Sequence, residues 1–160
     1  MAENSLKALL VEKVENYFND NDWNNYEYDE QYSVFRAGIN LRCKLKSTRM
    51  IIVCLDGGLL FHFPVSIGTD DENEIQVMEF VTRANCGINY GGFQMNVDNN
   101  SIDYTMYIPC EEIPNYNLID RTISTGIHMM NVYGDELLAV MFGMKSAKDA
   151  IEAAESKTRN

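Results

Sequence analysis

The sequence predicts an α+β fold: a helix, a three-stranded antiparallel meander, a second helix, a two-stranded hairpin and C-terminal helices. Three observations predict it. Apolar residues near the start recur at helical spacing. Two groups of alternating or apolar runs are joined by short turn signals, Asp56-Gly57-Gly58 and Asn99-Asn100. Beyond Pro114 the helical period returns. Helices that gather to one side of hairpin-linked strands, rather than alternating with single strands, argue against a parallel sheet. The 160 residues and 46% hydrophobic content suit one domain, expected over 1–155 with a frayed tail at 156–160.

In the first helix Leu6, Leu9, Leu10, Val14, Tyr17 and Phe18 share a face, and Ser5 is the expected N-cap. The Asn/Asp cluster from Asn19 to Asn25 stops it, because those side chains compete for backbone hydrogen bonds. Trp23, inside that polar turn, is expected to fold back onto the core.

Phe35, Ala37, Ile39 and Leu41 alternate with polar neighbours, the period of a strand with one wet face. Met50–Leu55 and Leu59–Val65 are richer apolar runs, and the intervening glycines favour a tight hairpin. These three strands make the meander. Thr69-Asp70-Asp71-Glu72 has the form of a capping box opening a second helix that runs to about Asn85, with Ile75, Met78, Val81 and Thr82 on its inner face. Gly87 suits a left-handed C-terminal cap.

Phe93, Met95 and Val97 form one face of the next strand, and Ile102, Tyr104, Met106 and Ile108 one face of its return. After Pro109 and Pro114, Ile119, Ile123, Ile127, Met130 and Tyr133 recur at helical spacing. Gly134 is expected to separate this helix from Leu137–Phe142. Gly143 closes the latter, and Ser146 opens a last short helix through Ala154.

Twenty-four acids against thirteen bases give a net charge of −11, which repels nucleic acid and anionic lipid on average. The stretch Ala8–Val11 is too short for a signal peptide, and no run approaches a membrane span, so a cytoplasmic location is expected. The four cysteines at 43, 54, 86 and 110 include no Cys-x-x-Cys pair, so buried reduced thiols are expected rather than zinc.

The stretch Phe80-Val81-Thr82-Arg83-Ala84-Asn85-Cys86-Gly87-Ile88-Asn89-Tyr90-Gly91-Gly92-Phe93-Gln94-Met95 resembles the YbjN family of bacterial proteins. Gly87, Gly92 and Phe93 match its helix-to-strand pattern. Leu137–Gly143 followed by Ser146 and Ala150-Ile151 is similar to its C-terminal pattern. Where relatives often carry Asp-Gly in the second hairpin, this chain has Asn100-Ser101. The resemblance implies a fold like that of type III secretion chaperones, which are small, acidic, often dimeric and bind extended segments of partners. Members are often labelled sensory transduction regulators, and the resemblance supplies no catalytic residue.

The residues themselves give catalysis little support. A nucleophile needs a base in reach and a group to orient that base. His62 stands on the polar side of its strand and His128 within the long helix, and no spacing demands a Cys110/His128 pair. Gly87–Gly92 follows a helix, so the nearby dipole end is negative and phosphate would be repelled. Asp70, Asp71, Glu72 and Glu74 lack the alternation of a calcium loop and suit a helix start instead. No enzyme, cofactor or metal is expected. Gly87, Gly92 and Phe93 are structural.

Binding has two candidate sites. Arg36, Arg42, Lys44, Lys46 and Arg49 hold five of the thirteen bases within fourteen residues, as an acidic-peptide patch centred on Lys44 and Lys46 or as charges protecting a sheet edge. Ile127, Met129, Met130 and Val132 are apolar on more than one helix face and offer an adaptable interface. The expected function is a non-enzymatic, chaperone-like regulatory module with a protein partner and a homodimer through a helix face. The alternative is a regulatory domain that binds a small ligand between sheet and helices.

Overall fold

The computed structural model describes residues 5–159, so Asn160 of the expected tail lies outside the described residues. Ten elements follow in order: α1 (Leu6–Asp20), β1 (Tyr26–Asp29), β2 (Val34–Asn40), β3 (Ser47–Leu55), β4 (Gly58–Pro64), α2 (Glu74–Gly87), β5 (Gly92–Asn96), β6 (Ser101–Pro109), α3 (Tyr116–Met141) and α4 (Ala147–Ser156). The six strands make one antiparallel sheet, β1-β2-β3-β4-β6-β5. The meander and the hairpin are therefore joined, through pairing of β4 with β6 from Gly58↔Pro109 to Pro64↔Asp103.

One face of the sheet is the core. Phe35 and Ala37 of β2, Met50, Ile52 and Cys54 of β3, Leu59, Phe61 and Phe63 of β4, and Tyr104 and Met106 of β6 are buried on it in register. Against them lie Leu10, Val14 and Phe18 of α1, Val77, Phe80 and Ala84 of α2, and Ile119, Ile123, Leu137 and Val140 of α3. Ser5 caps α1 by accepting from the Ala8 amide, and Trp23 folds back onto Phe18 with ring centroids 5.2 Å apart, both as expected. Ser146 caps α4 in the same way through the Asp149 amide.

Several local expectations fail for identifiable reasons. Strand β1 lies outside the expected elements, because four residues give almost no period. It is held by aromatic packing, Tyr26 stacking on Phe18 and Tyr28 on Phe35. Thr69 does not cap α2, since its amide is tied to the Asn100 carbonyl and the helix starts later, behind Asn73. Asp70 instead closes the turn ahead of the helix by accepting from the Asn73 amide at 3.0 Å, and the N-cap Asn73 makes no side-chain cap bond. The helix starts four residues later than expected, and Val77, Phe80, Val81 and Ala84 face inward while Ile75 is 76% exposed.

Gly134 does not interrupt α3, which runs unbroken over 26 residues. Its missing side chain serves packing instead: a Cβ there would stand 2.7 Å from Cys43 Sγ and 2.9 Å from Leu45 Cδ1. Gly143, at φ +68, does end the helix, with the Met144 amide donating back to Ala139. Neither Gly57 nor Gly58 adopts positive φ at the β3–β4 turn. Gly58 is needed because a Cβ would meet the Ile108 carbonyl of β6 at 2.2 Å. The Asn99-Asn100 turn closes with Asn100 itself in the left-handed region, at φ +57.

Burial also sets how the core responds to base. It pushes the Cys54 thiol up to about 12 and the Tyr104 phenol up to about 12, and raises Cys110 and Tyr133 as well. Tyr17 is raised by burial and by donating to Asp120 at 2.9 Å. Each group stays neutral in the fold at a pH where the unfolded chain has begun to ionise. Their stabilisation is complete below the ordinary thiol value of 9.0 and is lost as pH rises towards the folded values. A melting temperature flat from about pH 7 to 8.5 and falling steadily above about pH 9 is expected by circular dichroism. An unchanged melting temperature near pH 11 would contradict this account of the core.

Candidate functional site

All four helices pack on one side, which leaves the other face of the sheet uncovered. Its side chains line up in rows across the strands. One row reads Asp29, Val34, Val53, Leu60 and Tyr107. The next reads Glu27, Arg36, Ile51, His62, Thr105 and Gly92. Val53, Leu60 and Ile51 are half-buried, and Leu55 and Tyr107 are exposed, so an apolar band runs across a face that is usually polar in antiparallel sheets.

Polar and charged groups around this band pair with one another. Arg36 reaches Asp29 at 3.7 Å, Arg49 pairs with Glu27, and His62 Nδ1 lies 2.6 Å from Asp103 Oδ2. The Arg36 and Arg49 charges thereby offset those of Asp29 and Glu27 at the rim, on a chain of charge −11. Between the rows lies an open depression of about 570 Å³ lined by Val34, Arg36, Ile51, Val53, His62 and Gln94. Where β2 ends and β3 begins, a trough of about 560 Å³ is lined by Asn25, Arg36, Asn40, Ser47 and Arg49.

The edges of the sheet differ. At β5, the Asn85 side chain accepts from the Phe93 amide and donates to the Phe93 carbonyl, both at 2.8 Å. Both groups are thus taken at that residue, which blocks strand addition there. Edge strand β1 has no such side-chain clamp among the described residues.

The expected site residues fall in three places. Met130 is 1% exposed and belongs to the core, so as an interface residue it is corrected: it points inward beside Tyr133 and Ile123 on the buried face of α3. Ile127, Met129 and Val132 are half-buried and packed against the core. Lys44 and Lys46 are exposed on the β2–β3 loop. That loop joins two interior strands, so its charges do not guard a sheet edge. Arg36 and Arg49, from the same basic stretch, lie apart from it on the open face.

At the helix-to-strand junction Phe93 is buried against Tyr104 and Tyr133, with ring centroids 5.1 and 5.6 Å away. Gly87 is the last residue of α2 and is not left-handed, which corrects the expected cap. The left-handed glycine is Gly91, at φ +75. Gly92 is less confined, since a Cβ would meet only the Asn85 side chain, at 3.1 Å.

Chemistry on these groups is limited by placement. Cys54 lies on the core face, opposite His62, and Cys110 turns its Sγ towards the Ile108 carbonyl at 3.5 Å. His128 is exposed on α3. Cys86 is exposed, contrary to the expectation that all four thiols are buried. Among the described residues no three His, Cys, Asp or Glu side chains gather where they could hold a metal ion. No helix among them is long and apolar enough to cross a membrane.

The sequence had signalled the apolar band faintly. Met50–Leu55 and Leu59–Val65 are apolar at consecutive positions, so both faces of β3 and β4 carry apolar side chains. Asn85, Asn131 and Asp135, which bond to distant backbone, gave no signal because their partners lie elsewhere in sequence.

Residues 10–139 match the profile of the YbjN family, described as "Putative bacterial sensory transduction regulator". No curated protein matches the chain. The fold is similar to the crystal structure of E. coli YbjN, described as "a putative transcription regulator", with a TM-score of 0.57 at 8% identity. That likeness covers 76% of this chain and 85% of the other.

Proposed function

The chain belongs to the YbjN family, and from that premise we propose that it is a regulatory module of the bacterial cytosol that acts by binding a protein partner and catalyses no reaction. The observation that carries this reading is the apolar band on the uncovered sheet face, in which Ile51, Val53 and Leu60 are half-buried, Tyr107 is exposed and Val34 is buried at its end. Exposed contiguous apolar surface with a polar rim is the usual character of a protein-docking face. Its rim of paired charges lets a partner approach without the repulsion that the rest of this acidic surface imposes.

The chaperone-like part of the proposal is that the partner is held as an extended segment across the band. A small ligand between sheet and helices is the weaker alternative, because that space is filled by Phe35, Phe61, Phe63, Phe80 and Tyr104, all fully buried. Ile127, Met129 and Val132 are retained as a proposed second contact on α3, through which a homodimer would form.

Leu60→Lys tests the reading. Leu60 is half-buried on the open face, so the variant should fold, yet capture of the wild-type partner set from bacterial lysate should fall at least about tenfold. Ile75→Lys, at an exposed site on α2, should capture normally. Equal capture by wild type and Leu60→Lys, with both folded, would overturn the docking face.

A further inference from the structure

The β2–β3 loop, residues 41–46, is a short segment built to a fixed shape. Leu41, Cys43 and Leu45 are buried, while Arg42, Lys44 and Lys46 alternate with them and are exposed. Asn131 Oδ1 on α3 accepts from the Arg42 amide at 2.7 Å and from the Cys43 amide at 3.3 Å. One helical turn on, Asp135 Oδ1 accepts from the Lys44 amide at 2.6 Å. Between them Gly134 leaves room for Cys43 and Leu45. The Leu41 amide closes the loop on the Lys46 carbonyl at 2.7 Å.

Two features of this loop are unexplained by folding. Among the described residues none of the three loop cations is in an ion pair; Lys7, Arg121 and Lys148 are also unpaired there, but they stand singly, whereas the loop gathers three within five residues. Three adjacent unpaired cations on a chain of charge −11 are the opposite of what the average surface offers. Lys46 also stands at φ +69, a backbone conformation that glycine adopts without strain and lysine does not. Ser33 shares this conformation at another turn, so strain alone singles out no residue; what Lys46 adds is a cation at a position where glycine would be the more stable choice.

From this we infer that the β2–β3 loop is a docking site for an extended acidic protein segment, gripped by Arg42, Lys44 and Lys46. The inference rests on the protein-binding reading and names the charge of the segment bound. Stapling to α3 fixes where the three side chains start, which lowers the entropy lost on binding. The loop adjoins the trough between β2 and β3, so a segment leaving it continues towards Arg36 and Arg49 on the open face. A duplex or a vesicle fits less well, because either must approach the surrounding acidic surface as well as the loop. A single extended peptide need not.

The test is fluorescence anisotropy of the full chain with a labelled, disordered Glu-rich decapeptide at about 50 mM salt, where exposed charges are weakly screened. Wild type should bind it with a salt-dependent Kd. Arg42→Glu with Lys44→Glu should weaken binding about tenfold, as expected from a few-fold loss at each exposed contact. Arg121→Glu with Lys148→Glu carries the same net charge at a distance and should change it less than about twofold. Lys46→Gly should raise the melting temperature while weakening the peptide, opposite signs that a purely structural lysine would not give. Equal losses in the two double variants, or Lys46→Gly with unchanged affinity, would overturn the site, as would tighter binding of a single-stranded DNA or of anionic vesicles of matched charge. The open-face band is untouched by this probe, so failure here leaves the Leu60→Lys result to be judged separately.

Discussion

Gly126→Ala is expected to destabilise the protein by about 2 to 3 kcal/mol, although alanine is a better helix former than glycine by about 1 kcal/mol. The reason is Phe63. A Cβ on Gly126 would lie 2.2 Å from Phe63 Cε2 and 2.3 Å from Cζ, inside the ring's own volume. Phe63 is fully buried on β4 and Gly126 on α3, so neither can give way without moving the helix off the sheet. Propensity and packing thus oppose each other, and packing wins. Chemical denaturation should show the loss, and Phe63→Leu should recover part of it in the double variant, because the two changes share one volume. Gly126→Ala as stable as wild type would mean that α3 does not sit this close to β4.

Gly91→Ala is expected to cost about 3 kcal/mol or more, from two causes at one residue. Its φ of +75 is a region that a side chain enters only with strain, and a Cβ would meet the Thr105 carbonyl at 2.4 Å. That obstacle is backbone in a paired strand and cannot rotate away. Gly92→Ala is the contrast, since its obstacle is the Asn85 side chain and its backbone is not left-handed; it should cost about 1 kcal/mol or less. Comparable losses at the two positions, measured as shifts in denaturant midpoint, would count against this account of the junction.

The comparison of these neighbours shows what could be read from the chain beforehand. Gly87, Gly91 and Gly92 are alike in sequence, and helix-stop chemistry pointed to Gly87 as the left-handed residue. The residue that carries that backbone is decided by where β6 passes, which is a non-local fact. The same holds for Gly134, a helix breaker by local propensity and a packing notch in the fold. Elements with strong periods, such as α1 and β2 to β4, were legible because local pattern and tertiary packing agree there. The second helix starts later than its sequence suggests, because Thr69-Asp70-Asp71-Glu72 satisfies the local rule for a cap while Thr69 is held by Asn100.

The candidate site was legible in part. Charge alternation marked Lys44 and Lys46, and both are exposed as that pattern requires. In sequence Met130 is not distinguishable from Ile127, Met129 and Val132, because a helix that is apolar on several faces does not reveal which face is buried. The apolar band needed the strand register, because Val34, Val53, Leu60 and Tyr107 become neighbours only when β2, β3, β4 and β6 are aligned.

The central claim is that the uncovered sheet face is where a partner protein binds. Its most direct test is a methyl-labelled NMR titration of the full chain with the purified partner recovered by wild type and lost by Leu60→Lys. Shift changes centred on the Val34, Ile51, Val53 and Leu60 methyls, with Val77 and Ile119 in the core unmoved, are the predicted result. Changes confined to α3 and α4, with the open-face methyls silent at saturation, would contradict it.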